Sequence, residues 1–223
     1  MIIKSYRKFN RIFQTNHTSE SLSYLANREF NDDTIKYFEF GYNDDIHIIN
    51  MPEFENCITT PVHDLKDRIV AFMCRAIDKN AKQKHNSTFN FLPLYEKGRM
   101  LFNLNRVLKY HYRRTIFIVE GQFDCASMHQ VGFKNTVASL TSGVTEIQAE
   151  LLFRYFDKIY IVPDNDEAGS NLVESVCERL SKNKRKELII YKCKLPKDCK
   201  DANDALKMKY DLKRILKESR KTI

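Results

Sequence analysis

Two apolar runs stand out in the hydrophobic pattern. Ile116-Phe-Ile-Val119 and Ile159-Tyr-Ile-Val162 carry apolar residues continuously rather than in alternation. That predicts strands buried on both faces of a sheet. Each run stops at acids and a glycine, Glu120-Gly121 in one case and Asp164-Asn-Asp166 before Gly169 in the other. Around them strands and helices alternate: strand 116–119, helix 123–131, strand 135–140, helix 144–156, strand 159–162, helix 168–180 and a last strand at 188–193. This rhythm predicts an α/β fold with a parallel, doubly wound sheet.

The pattern upstream is different. Residues 1–20 are polar and basic without a clear period, a short helix or a loose arm. Residues 21–30 turn helical, with Leu22, Leu25 and Ala26 on one face. A second helix starts at Asn31, a good N-cap followed by acids in the first turn, and Phe40-Gly-Tyr42 ends it. Residues 57–64 and 68–75 read as two strands joined by a turn at Asp64–Asp67. Residues 79–86 form a polar, basic loop. The expected division is a smaller α+β part over 1–113, the α/β domain over 114–195, and a basic helical or frayed segment over 196–223.

Spacing brings the acids together. Gly121 permits a tight turn from strand into helix. Asp124 follows Glu120 by four residues, so the first helical turn can carry it round beside that acid. Asp164 and Asp166 lie two apart, which in extended backbone points both side chains to one side. Carboxylates gathered at the carboxyl edge of a parallel sheet repel unless a cation sits among them, and this edge is where ligands bind in such folds. An all-oxygen donor set suits Mg²⁺ or Mn²⁺. With no His or Cys in either motif, zinc is not expected. A calcium loop starting at Asp164 fails, because Ala168 and Ser175 occupy its fifth and twelfth positions.

The net charge of +8 is unevenly spread: residues 1–114 carry +5, residues 115–180 carry −6, and residues 181–223 carry +9. An acidic middle flanked by basic segments suits a polyanion lying across a cation site. The hydrophobic fraction of 43% is ample for a core. No apolar run approaches a membrane span and the start lacks the apolar region of a signal peptide. The six cysteines form no C-x-x-C pair and read as reduced cytosolic thiols, so a cytoplasmic protein is expected.

Glu120-Gly-x-x-Asp124 followed by Asp164-x-Asp166-x-Ala-Gly169 resembles the Toprim domain of primases, topoisomerases, nucleases and recombination mediators. Tyr24-Leu-x-x-Arg28 with Thr34-Ile-x-x-Phe38-x-x-Gly-Tyr42 resembles the start of the DnaG-type primase core, although Glu29 replaces the usual glycine. Residues 57–75 resemble the family's "FPI…GRVxGFGGR" hairpin, with Asp67 and Met73-Cys74 where glycines are usual. Residues 91–105 resemble "LFxKGRxLYGL". The lysine of the motif before it is absent: Thr88-Phe-Asn90 is the nearest match, and Lys82 and Lys84 are the candidates to substitute for it. Ala138-Ser-Leu-Thr-Ser-Gly143 is similar to "A-S/T-L-G-T", with the glycine displaced and Ser139 and Thr141 left to line the pocket. Leu195–Leu206 resembles "LPxGKDANE/D" of phage primase-helicases, with Asn203 where bacterial primases carry a second acid.

The resemblance implies a Toprim domain preceded by a primase N-terminal subdomain, and a DNA primase making short RNA on single-stranded DNA from ribonucleoside triphosphates. It implies Glu120, Asp164 and Asp166 as catalytic residues, with Asp124 and Asp201 joining them as metal-site acids. Glu120 is left as ligand or general base, and Asp201 is also a good N-cap for the final helix. Arg28, Arg75, Lys97 and Arg99 are the implied contacts to nucleic acid or nucleotide. Relatives carry a zinc ribbon and helicase-related segments, so a replicative helicase or a separate zinc-ribbon protein is an expected partner. The alternatives are a Toprim-type metal-dependent nuclease and a non-catalytic DNA-binding replication accessory.

Overall fold

The computed structural model describes residues 2–44, 55–78, 85–87, 95–111, 114–182, 187–217 and 220–221. The chain divides into two units, Met1–Glu96 and Lys97–Ile223. No helix among the described residues is long and apolar enough to cross a membrane.

The first unit starts with α1 (Ile2–Thr15), α2 (Ser19–Ala26) and α3 (Asp32–Phe38). Its sheet is antiparallel in the order β1 (Gly41–Asn43), β2 (Cys57–His63), β3 (Ile69–Ala76), β4 (His85–Ser87). Of the two readings of residues 1–20, a short helix or a loose arm, the helix is the one formed: α1 is amphipathic and buries Tyr6, Asn10 and Phe13 on one face. The aromatic members of that face meet Phe72 of β3 edge-on, Tyr6 at 5.5 Å and Phe13 at 5.3 Å between ring centroids. Their spacing is helical, but Asn10 in the middle hides the stripe from a purely apolar count.

The expected face of α2 is also revised. Ser21 and Leu25 are buried, whereas Leu22 is 47% exposed and Ala26 exposed. Thr18 and Ser21 form a reciprocal capping box there. Asn31 caps α3 as expected, its Oδ1 accepting from the Thr34 N–H at 2.9 Å. The helix ends earlier than predicted, at Glu39 with φ +55°, and Gly41–Asn43 leaves as β1 rather than closing the helix. Pairing with β2 decides this: Gly41 faces Thr59 and Asn43 faces Cys57.

The β2–β3 hairpin forms where expected. Its turn is held by the Asp64 carboxylate, which accepts from the backbone N–H groups of Lys66 at 2.9 Å and Arg68 at 3.0 Å. Asp67 takes φ +57°, the left-handed conformation a glycine would adopt freely. Within the predicted loop 79–86, residues 85–86 belong to β4, which pairs with β3, while 79–84 lie outside the described residues. Lys82, Lys84 and Thr88–Asn90 lie outside them too.

The second unit opens with a 3₁₀ turn, Lys97–Arg99, and α4 (Leu104–Tyr110). Its sheet has the order β6 (Thr136–Ala138), β5 (Thr115–Val119), β7 (Lys158–Ile161), β8 (Ile189–Lys192), β9 (Arg220–Lys221). The first four are parallel, as predicted. Helices α5 (Gln122–Gln130), α6 (Glu146–Tyr155) and α7 (Glu167–Ser181) follow β5, β6 and β7. Leu101, Leu104 and Val107 pack into one core with Ile116, Ile118, Ile159, Ile161 and Ile190, together with Leu152 of α6 and Leu172 and Val176 of α7.

Two further expectations change here. The run at 159–162 is not uniformly buried: Ile159, Ile161 and Val162 are, but Tyr160 is half-buried. Tyr160 instead stacks between Phe117 and Tyr191, its register partners on either side, at 4.9 and 4.5 Å. The strand at 188–193 is not the last. The segment expected as a helix or a frayed tail contains α9 (Leu212–Lys217) and then β9, which pairs antiparallel with Tyr191 and Lys192. Between them and β8 lies α8 (Ala202–Lys207).

Candidate metal centre

The carboxyl ends of β5 and β7 are adjacent because the strands pair in parallel, Ile118 opposite Ile161. Glu120 leaves the end of β5, and Asp164 and Asp166 leave the end of β7. Each of these three acids offers one oxygen, and the three oxygens lie within 4.8 Å of one another. That spacing lets one cation be shared by all three.

Local sequence explains the placement. Gly121 turns β5 into α5, whose first turn carries Asp124. Asp166 caps α7, its Oδ1 accepting from the Gly169 N–H at 3.1 Å. Gly169 is required by close approach: a β-carbon there would lie 2.0 Å from the Asp164 carbonyl oxygen and 2.7 Å from its nitrogen. Asn165, between the two acids, donates its side-chain amide to the carbonyls of Pro196 at 2.8 Å and Cys199 at 2.7 Å. Its backbone N–H donates to the Lys200 carbonyl at 2.7 Å. These bonds tie the acid loop to the segment that carries Asp201.

Electrostatics identify the cluster as short of positive charge. Burial, and then the charges of Asp124, Glu120, Asp201 and Asp166, push the Asp164 carboxyl up to about 9. Burial and the Asp166 charge raise Glu120, against the pull of the Asp164 backbone N–H and Lys200. Asp166 goes the other way: against the cost of burial, the Gly169 N–H and Lys200 hold it below the usual carboxylate range. One oxygen of Glu120, Oε1, is buried without a hydrogen-bond partner among the described residues. An orphaned carboxylate oxygen beside two more carboxylates fits a divalent cation, which would satisfy the oxygen and offset the repulsion.

Asp124 and Asp201 stand around this trio. Both charges are felt at Asp164. Asp124 is buried, and its Oδ1 accepts from the Asn203 backbone N–H at 3.2 Å. Asp201 caps α8, its Oδ1 accepting from the Asp204 N–H at 2.7 Å. Ser139 and Thr141 use their hydroxyls within their own loop, Ser139 Oγ donating to the Thr141 carbonyl at 3.0 Å and Thr141 Oγ1 to the Gly143 carbonyl at 2.5 Å. The displaced glycine of that loop leaves Leu140 at φ +58°.

The basic residues fall into two groups. In the first unit Arg28 and Arg75 meet around one ring. The Arg28 guanidinium lies 5.1 Å from the Tyr24 ring centre, and Arg75 Nε donates to the Tyr24 hydroxyl at 3.2 Å. In the second unit Lys97 and Arg99 flank Gly98 in the 3₁₀ turn, which is fastened to the start of α6. Thr145 Oγ1 donates to the Gly98 carbonyl, and Gln148 Nε2 donates to the Met100 carbonyl at 2.7 Å. Burial lowers the Lys97 ammonium below its usual range.

Sequence reasoning passed over Asn165, Gln148 and Lys200. Gln148 left a signal, since Thr145-x-x-Gln148 is a capping-box spacing ahead of an apolar run. Asn165 and Lys200 act through contacts between segments and leave no local pattern.

Residues 117–206 match a protein-family model described as Toprim-like. Residues 49–108 match one described as the N-terminal domain of the DNA primase catalytic core. The DNA primase of Clostridium acetobutylicum is 32% identical over 196 residues, covering 76% of this chain and 32% of the relative. The chain thus spans about a third of the length of the curated relatives it matches. Among solved structures, the DnaG catalytic core superposes with a TM-score of 0.84 at 18% identity, over 99% of this chain and 81% of the other. A DnaG primase catalytic domain bound to ssDNA superposes with a TM-score of 0.84 at 20% identity, over 98% and 78%. The likeness to these structures is one of fold.

Proposed function

Because the chain belongs to the DnaG-type primase catalytic cores, we propose that it synthesises short RNA primers on single-stranded DNA by divalent-metal-dependent nucleotidyl transfer. The observation that carries this reading is the convergence of Glu120, Asp164 and Asp166 from two parallel strands, with the buried Glu120 oxygen left open to a cation.

In this reading Asp164 and Asp166 are the main ligands of Mg²⁺ or Mn²⁺, and Asp124 and Asp201 support them with charge. A bound ion of this kind lowers the pKa of the attacking 3′-hydroxyl and neutralises the triphosphate. Glu120 is the third ligand or the base that takes the hydroxyl proton. The 3′-oxygen bonds to the α-phosphorus of the next ribonucleotide, and pyrophosphate leaves. Arg28, Arg75, Lys97 and Arg99 contact template or nucleotide phosphates, with Arg suited to paired hydrogen bonds to phosphate oxygens. Single-stranded DNA is the template in this reading, which a DnaG primase catalytic domain of the same fold bound to ssDNA supports. A replicative helicase or a zinc-ribbon protein would direct the enzyme to its start site in the cytoplasm.

The test is incorporation of labelled ribonucleotide on single-stranded DNA with Mg²⁺ or Mn²⁺, for wild type, Glu120→Gln and Asp164→Asn. Loss of such a group typically costs about 10²-fold or more in rate, and both variants are expected to lose that much. Near-normal synthesis by Asp164→Asn sinks the assignment. Cleavage of DNA without nucleotides, abolished by the same substitutions, would replace the polymerase with a nuclease.

A further inference from the structure

Both oxygens of Asp166 have partners. Oδ1 accepts from the Gly169 N–H at 3.1 Å, and Oδ2 lies 3.2 Å from the Lys200 ammonium. The Lys200 backbone is held firmly. Its carbonyl accepts from the Asn165 N–H at 2.7 Å, and Asn165 also binds the carbonyls of Pro196 and Cys199. Lys200 therefore rises from a segment stitched to the loop that carries Asp164 and Asp166. Its side chain is 62% exposed, so the stem beyond that anchor is free to turn.

A divalent ion shared by Glu120, Asp164 and Asp166 and the Lys200 ammonium draw on the same carboxylate. Two cations at one carboxylate repel, so occupancy by one weakens the other. The ammonium is a compact charge on a flexible four-carbon stem, suited to release and recapture. Once turned away, it stands beside the cation site, released from its contact with Asp166. The group that arrives there under the reading above is a triphosphate.

We propose that Lys200 is a tethered counter-cation of the acid cluster, displaced from Asp166 by the divalent ion and then bound to the polyphosphate of the incoming nucleotide. The inference rests on the metal-site reading and adds to it a phosphate-binding residue outside the four basic residues named above.

Mn²⁺ affinity measured by electron paramagnetic resonance, and nucleoside triphosphate affinity by equilibrium dialysis at saturating Mn²⁺, test it on wild type, Lys200→Ala, Lys200→Arg and Asp164→Asn. Lys200→Ala is expected to tighten Mn²⁺ roughly two- to fivefold, the size of an exposed ion pair. It is expected to weaken triphosphate binding on the order of tenfold, the loss of a charge-assisted contact. Lys200→Arg keeps both constants near wild type. Opposite signs are the signature, because a merely structural role moves both affinities together or neither. Unchanged or weaker Mn²⁺ binding by Lys200→Ala, or unchanged triphosphate binding, overturns the inference. If Asp164→Asn loses Mn²⁺ while Lys200→Ala matches wild type, the inference alone fails. If Asp164→Asn binds Mn²⁺ like wild type, the metal-site reading fails and the inference goes with it.

Discussion

Gly169 lies directly against the backbone of Asp164, so close that a β-carbon on it would stand 2.0 Å from the Asp164 carbonyl oxygen. The first turn of α7 and the acid loop share this space. Gly169→Ala must push the loop, since the obstacle is backbone and cannot rotate away. Stability should fall by about 2–4 kcal/mol. Primer synthesis should fall about 10²-fold in the protein that remains folded, because an ångström of misplacement at a reacting centre costs that much. Denaturant unfolding and ribonucleotide incorporation check both, and wild-type values in either would show that the contact is not needed.

Asn203 links α8 to α5. Its Nδ2 donates to Ser127 Oγ at 3.0 Å and its backbone N–H to Asp124. Asn203 and Ser127 are fully buried, so removing the amide strands a polar partner. Asn203→Ala should cost about 1–2 kcal/mol. The denaturant midpoint should drop with an unchanged slope.

Burial, and then the charges of His111, Lys134 and Arg106, hold the His129 imidazole down to about 4 from its ordinary 6.5. The folded state then binds fewer protons than the unfolded chain between those values. Stability from this group is complete above pH 6.5 and is lost as pH falls toward 4. The loss should reach roughly 1–3 kcal/mol. His129→Leu should flatten that part of the pH–stability curve, and an unchanged acid slope would assign it to other groups.

Phe72 is fully buried between Tyr6 and Phe13 of α1. Phe72→Ala should destabilise the first unit by about 3–5 kcal/mol. Pairing it with Phe13→Ala in a double-mutant cycle should give a coupling of about 0.5–1.5 kcal/mol, the worth of an edge-to-face aromatic pair. Zero coupling would mean that α1 is not docked through these rings.

The sequence by itself determined the parallel sheet and the acids at its edge. Continuous apolar runs that end in Glu120-Gly121 and Asp164-x-Asp166 set strand, turn and carboxylate within a few residues, and a local spacing survives any tertiary arrangement. It determined the cap at Asn31 and the hairpin at Asp64 for the same reason. Tertiary structure decided what depends on partners distant in sequence. Asn10 hid the stripe of α1 until Phe72 supplied the surface it packs on. Tyr160 looked like part of a buried run until its neighbours Phe117 and Tyr191 gave it a half-buried face to stack on. Lys200 read as one basic residue among many. Only the bonds from Asn165 to its segment bring it to Asp166, because cross-segment hydrogen bonds leave no period along the chain.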